Sequence, residues 1–201
     1  MSLNRGQRNL LLLAIVFFAP IVVAYIVKTN IEDTEDFATK NHGDLIVPAK
    51  PVTDINLVNV ENKPLLLSSL RGKWVMVYLG SSNCNEKCKT NLYNIRQTRL
   101  GQRGEHKRIE RVFISLDEPA DALPEAVKKE YQGMRFLTAD KTSASAVMQE
   151  FETSVDEVKK GKYGLYLIDP IGNLMMRYPD GYTAKGLAKD LELLLKASQV
   201  G

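Results

Sequence analysis

The sequence predicts an α/β domain built on a mixed sheet and set behind one membrane-spanning helix. Three observations predict it: an uncharged apolar run near the N-terminus, short continuous apolar segments alternating with helix-length stretches, and a proline–glycine turn between two late strands. The 201 residues suffice for one ordinary domain plus an appendage, and 44% hydrophobic against 25% charged residues excludes wholesale disorder. A net charge of +3 gives no sign of a nucleic-acid coat, so no nucleic-acid partner is expected. Two cysteines and two histidines exclude zinc ribbons, Cys2His2 fingers and disulfide-dense scaffolds.

The apolar run Leu10 to Val27 holds 18 residues without a charge, roughly 27 Å as a helix, close to the thickness of a bilayer core. Arg5 and Arg8 precede it, whereas Lys28 is followed by Glu32, Asp33, Glu35 and Asp36. The excess of positive charge on the N-terminal side predicts residues 1–9 as a cytoplasmic tail and 10–27 as a single-pass anchor. The domain then lies in the bacterial periplasm or, in a mitochondrion, faces the intermembrane space from the inner membrane. Both compartments permit disulfides. Val22-Val23-Ala24 is a weak signal-peptidase site inside the apolar run, so retention of the anchor is expected over cleavage.

Residues 28–50 are polar, acidic at first and without an apolar period, which predicts a juxtamembrane stalk with His42 solvated in it. Residues 51–201 carry the globular pattern. Ile55 to Val58 and Leu65 to Leu67 flank Glu61-Asn62-Lys63-Pro64, a β-hairpin signature. Trp74 to Leu79 and Arg111 to Leu116 are continuous apolar strands of the kind buried on both faces, separated by a helix over Asn85 to Leu100. A helix follows from Pro124 to Tyr131, a short strand at Arg135 to Leu137 and a helix from Ser143 to Phe151. Strands Gly164 to Asp169 and Leu174 to Tyr178 meet at the turn Asp169-Pro170-Ile171-Gly172. After Thr183, Leu187, Leu191, Leu194 and Leu195 define one apolar helix face. Buried strands alternating with helices imply a parallel portion and the closing hairpin an antiparallel edge. A thioredoxin-like α/β fold with an N-terminal β-hairpin satisfies both.

The chemistry centres on Cys84 and Cys88, directly after a buried strand and at the start of a helix that Ser82 or Asn83 can cap. The positive end of that helix, with Lys87 and Lys89, favours thiolate, the form that attacks disulfides and binds Cu(I). Cys84 and Cys88 are therefore the candidate redox pair and the candidate Cu(I) ligands, with Cys84 expected as the more exposed thiol. An inert structural pair is the alternative.

Lys73 to Asp117, with its strand, Gly80, the CxxxC pair and Val112-Phe113-Ile114-Ser115-Leu116-Asp117, resembles the SCO/SenC family, as does Tyr166-Leu167-Ile168-Asp169-Pro170-Ile171-Gly172. The resemblance covers residues 51–195. It implies a membrane-anchored thioredoxin-fold factor of cytochrome c oxidase assembly, with copper as cofactor or cargo and a respiratory oxidase subunit or assembly factor as partner. Within that likeness the two cysteines bind copper with a distant histidine and also cycle as a disulfide. This chain departs from the pattern at three places. Asn85 and Lys89 stand where the family carries prolines, Lys160-Gly161-Lys162-Tyr163-Gly164 lacks the family's histidine, and no histidine follows His106. Tyr163 also occupies the place nearest to the cis-proline of thioredoxin-type oxidoreductases. A periplasmic thiol–disulfide oxidoreductase and a non-catalytic assembly module remain the alternatives, and a peroxidase ranks below them, because Trp74, before the strand, reads as core or rim packing rather than as support for a peroxidatic cysteine.

Glu86 to Arg111 holds eight basic residues (Lys87, Lys89, Arg96, Arg99, Arg103, Lys107, Arg108 and Arg111) against Glu86, Glu105 and Glu110. This stretch reads as a solvated face, with steering of an acidic partner or contact with anionic lipid as the functional alternative. His106 is expected to be solvated. Met175 and Met176, adjacent on a strand, should face opposite ways. Asp117, Glu118 and Asp121 are expected to cap the next helix.

Overall fold

The computed structural model describes residues 4–32, 41–116, 123–153, 163–179 and 181–198. Asp117, Glu118, Asp121 and Lys160 to Lys162 lie outside them. The chain forms two compact units, residues 1–40 and 41–201. The first is the helix α1 (Arg5–Glu32), of which 22 residues, Arg5–Ile26, are long and apolar enough to cross a membrane. It contains Pro20, which a lipid helix tolerates.

The second unit runs β1 (Asp44–Pro51), β2 (Leu57–Asn59), β3 (Pro64–Leu65), β4 (Trp74–Gly80), α2 (Glu86–Gly101), β5 (Ile109–Ser115), α3 (Glu125–Glu130), β6 (Arg135–Thr138), α4 (Lys141–Glu150), β7 (Tyr163–Ile168), β8 (Asn173–Pro179) and α5 (Ala184–Ala197). One eight-stranded sheet has the order β1-β8-β7-β4-β5-β6-β2-β3. The pairs β4–β5 and β5–β6 are parallel and the others antiparallel. The mixed sheet expected from the sequence is thus present.

Every residue of β4 is buried, because its alternate side chains enter two different cores. Trp74, Met76 and Tyr78 join Phe113, Phe136, Leu165 and Leu167 under α2 and α5, which supply Leu92, Ile95, Leu187 and Leu191. Val75, Val77 and Leu79 join Val112, Ile114 and Tyr166 under α4, which supplies Val147, next to Phe151. The hairpin β2–β3 is short. Asn59 Oδ1 accepts the amides of Glu61 and Lys63, both at 2.9 Å, and Asn62 takes the left-handed conformation at φ 57°.

Three expectations are corrected. Residues 44–50, expected at the end of the stalk, belong instead to β1, which pairs with β8 through Asp44–Arg177 and Lys50–Leu174. An edge strand held by backbone bonds, with mostly exposed side chains, leaves no apolar period to read. His42 is not free in solvent: its ring Nδ1 lies 2.9 Å from Asp190, a residue of α5 that is 3% exposed. Met175 and Met176 pack on the same core, because the β7–β8 register shifts between Leu167–Met176 and Ile168–Leu174. That bulge places one extra residue on β8 and cancels the alternation.

Candidate functional site

β4 ends at Gly80, where a Cβ would sit 2.8 Å from the Phe113 ring, and the chain leaves the sheet toward α2. Cys84 lies in the connection and Cys88 in the first turn of α2. The two are joined by a disulfide, their Cα atoms 5.2 Å apart. The cap is Asn85, between the cysteines, not Ser82 or Asn83: its Oδ1 accepts the Cys88 amide at 3.0 Å. Cys84 precedes the cap, at the positive end of the helix, and its own amide donates to Ser82 O at 2.9 Å. Each cysteine is 7% exposed, so the expected greater exposure of Cys84 is not found. Lys89 is paired with Glu86 at 2.7 Å, which offsets its effect on the thiols.

Three tyrosines that the sequence reading passed over grip the turn after Cys88. Asn91 Nδ2 donates to Tyr78 Oη at 3.3 Å, Tyr182 Oη donates to Asn91 O at 3.5 Å, and Tyr131 Oη donates to Lys89 O at 3.2 Å. Burial first, and then the Tyr78 ring nearby, holds the Tyr182 phenol far above its ordinary value. Burial, followed by Glu130, raises Tyr131. The available signal was a tyrosine two residues before a strand-ending glycine, with Gly164 packed under its ring: a Cβ there would meet the Tyr78 ring at 2.8 Å.

Among the described residues no third metal ligand joins the pair, and no group of three or more His, Cys, Asp or Glu side chains converges. His42 is held at Asp190, and His106 sits in a 3-10 turn against the carbonyl of Arg103. The basic stretch is divided: Arg108 pairs with Glu105 and donates to the carbonyls of Leu195 and Ser198, whereas Arg111, expected on a solvated face, is 4% exposed.

Comparison with known proteins places this geometry. The family model for the transmembrane-like, thioredoxin-like C-terminal domain matches residues 74–198. The chain belongs to that family, and the match runs from the first residue of β4 to just past the end of α5. Among curated proteins none is similar enough in sequence to count as a relative. In fold the chain is similar to yeast Sco1 with copper bound (TM-score 0.63, 17% identity, 74% of this chain and 94% of that one). It is also similar to Arabidopsis thaliana ScoI with copper bound (TM-score 0.61, 18% identity, 73% and 99%). The thioredoxin domain of a thiol-disulfide oxidoreductase from Bacteroides vulgatus aligns as well (TM-score 0.59, 14% identity, 75% and 99%). The thioredoxin-like fold is therefore established.

Proposed function

We propose that the protein is a membrane-anchored, Sco-like factor of respiratory cytochrome c oxidase assembly whose Cys84–Cys88 pair keeps a partner's copper-binding cysteines reduced. The observation that carries this reading is the Cys84–Cys88 bridge at the N-terminal end of α2, in a fold similar to Sco proteins and to a thiol-disulfide oxidoreductase. The apolar helix α1 serves as the anchor, with its Arg5 and Arg8 end in the cytoplasm and the domain on the oxidising side.

In the reduced protein the Cys84 thiolate, placed before the first turn of α2, attacks one sulfur of a disulfide in the oxidase subunit or assembly factor. The partner's S–S bond breaks, a mixed disulfide forms, and the departing thiolate takes up a proton. The Cys88 thiolate then attacks Cys84 Sγ, releases the partner's second thiol and closes the Cys84–Cys88 bond. Two electrons pass to the partner, and a dithiol reductant returns the pair to its starting state. The cap on Asn85 and the tyrosine grip on the following turn hold Cys88 within reach.

Copper fits this site as transient cargo. The reduced pair offers two soft thiolates, a donor set that suits low-coordinate Cu(I), and the disulfide offers none. With His42 and His106 engaged elsewhere, a three-ligand Cys-Cys-His site is not the form it takes.

Two measurements on the full chain test the reading. Cys88→Ser should trap a mixed disulfide with a peptide carrying an oxidised copper-site cysteine pair, and Cys84→Ser should not. The reduced wild type should take up one Cu(I) anaerobically, and Cys84→Ser should lose it. A reduction potential well below about −300 mV, the range of structural disulfides, would overturn the redox role. The near-complete burial of both cysteines would then favour a second reading, a non-catalytic assembly module stabilised by its bridge.

A further inference from the structure

A groove lies at the far end of α2 from the cysteines. The last residues of that helix and the 3-10 turn Arg103–Arg108 form one wall and α5 forms the other, around an open volume of about 820 Å³. Hydrogen bonds across it fix its width. Gln102 Nε2 donates to Ala188 O at 2.9 Å, and Arg108 donates to the carbonyls of Leu195 and Ser198 at 3.1 and 2.7 Å. Along α5, Lys185, Lys189, Glu192 and Lys196 stand at i, i+4, i+7 and i+11, which places them on one face, and that face lines the groove.

The charges in the groove do not cancel. Glu105 is taken by Arg108 and Glu192 by Lys196, each at 2.7 Å. Arg103, Lys185 and Lys189 also line it, are exposed, and among the described residues pair with no carboxylate. Lys189 acts on Glu192 only at a distance. Five cations against two anions leave a net charge of +3, in a recess whose walls concentrate the field. Arg103 takes the left-handed conformation at φ 42°, which a residue with a side chain keeps only where its surroundings enforce it. Gly101 and Gly104, close to it in the chain, have open space where a Cβ would stand, so the backbone beside Arg103 is bare to an approaching chain.

We propose that this groove docks an extended, Asp- and Glu-rich segment of a partner protein, with Arg103, Lys185 and Lys189 as its counter-charges. Both carboxylates that line the groove are engaged, so it offers nothing to a basic segment. From Lys185 to Lys196 α5 rises about 17 Å, the length of about five residues of extended chain. A recess between two walls suits an inserted chain, whereas a bilayer presents a broad layer of headgroups that lies against a flat or convex face. The proposal does not rest on the cysteine chemistry. α2 holds 16 residues, so the groove stands about 24 Å from the turn that carries Cys88.

The test uses the full chain in neutral detergent micelles. The probe is a fluorescein-labelled peptide of alternating glutamate and alanine, about ten residues long, whose fluorescence anisotropy should report saturable binding. The same peptide with glutamine for glutamate should not bind, and raising the salt from about 50 to about 300 mM should weaken the acidic peptide several-fold. Lys185→Gln combined with Lys189→Gln, at two exposed helix positions, should weaken it roughly tenfold or more. Arg103→Gly should weaken it with no loss of thermal stability, because glycine accepts the left-handed backbone. Lys63→Gln removes the same charge from the exposed β2–β3 turn and should leave the affinity unchanged. Absence of saturable binding up to about 1 mM peptide would overturn the proposal, as would an equal loss in Lys63→Gln and Arg103→Gly. Displacement of the peptide by phosphatidylglycerol doped into the micelles would overturn it in favour of anionic lipid. Binding made tenfold or more tighter by Glu32→Gln, Asp33→Asn, Glu35→Gln and Asp36→Asn together would overturn it in favour of the chain's own acidic segment.

Discussion

Asp190 offers the sharpest test of how the domain is held together. Its carboxylate accepts the backbone amides of His42 (2.9 Å) and Gly43 (3.0 Å) and the Tyr178 hydroxyl (3.2 Å), and meets His42 Nδ1 at 2.9 Å. Replacing it with alanine orphans two buried donors, the Gly43 amide and the Tyr178 hydroxyl, at about 1–3 kcal/mol each. The His42 ring, with its side chain 44% exposed, is rehydrated instead and contributes at most about 1 kcal/mol. The sum is about 2–7 kcal/mol, against a small gain from alanine's better helix propensity. For a chain of this size it corresponds to a fall of roughly 4–28 °C in Tm. Trp74, the only tryptophan, is buried in the core under α2 and reports unfolding of the domain without interference from α1. Thermal unfolding of full-length Asp190→Ala, Asp190→Asn and His42→Ala, followed by that fluorescence, should rank them in that order of damage. A loss below about 1 kcal/mol for Asp190→Ala, or an equal loss for His42→Ala, would refute the account of Asp190 as a buried acceptor hub.

Burial first and Asp190 second hold the Tyr178 phenol far above its ordinary value, as burial does for Tyr182. The unfolded chain ionises these groups from about pH 10 whereas the native one does not, so stability is intact below about pH 10 and falls as the pH rises beyond it. Alkaline titration of Tyr178→Phe, read by phenolate absorbance and Trp74 fluorescence, should show a shallower fall. Gly164→Ala drives a Cβ to within 2.8 Å of the Tyr78 ring and should cost about 1–3 kcal/mol, part of it recovered in the double variant with Tyr78→Leu. Denaturant unfolding measures both. Asn85→Ala removes the cap of α2 and should cost about 1 kcal/mol, whereas Ser82→Ala and Asn83→Ala should leave the helix cap unaffected in the same assay.

Much of the sheet centre was legible. The runs Trp74 to Leu79 and Arg111 to Leu116 became β4 and β5 because a strand buried on both faces needs apolar residues at nearly every position. The leucines after Thr183 became the buried face of α5 because helical spacing survives in any surroundings. The CxxxC pair was equally plain, since its meaning rests on a strand followed by a helix. Its cap was misplaced because Ser82, Asn83 and Asn85 are all good caps, and only the backbone path shows which side chain meets the Cys88 amide.

The sequence by itself determined the apolar N-terminal helix, the alternation of strands and helices, and the placing of two cysteines at a helix start. Each is a local pattern, governed by hydrophobic periodicity and chain stiffness. Tertiary structure alone decided that residues 44–51 add a strand to β8, that Asp190 holds His42 from 148 positions away, and that Arg111 is buried with its guanidinium on the carbonyl of Gln132. Those outcomes depend on which distant groups share one small volume from which water is excluded. In that volume a carboxylate must find donors and a guanidinium must find acceptors, and no local pattern in the sequence records where they meet.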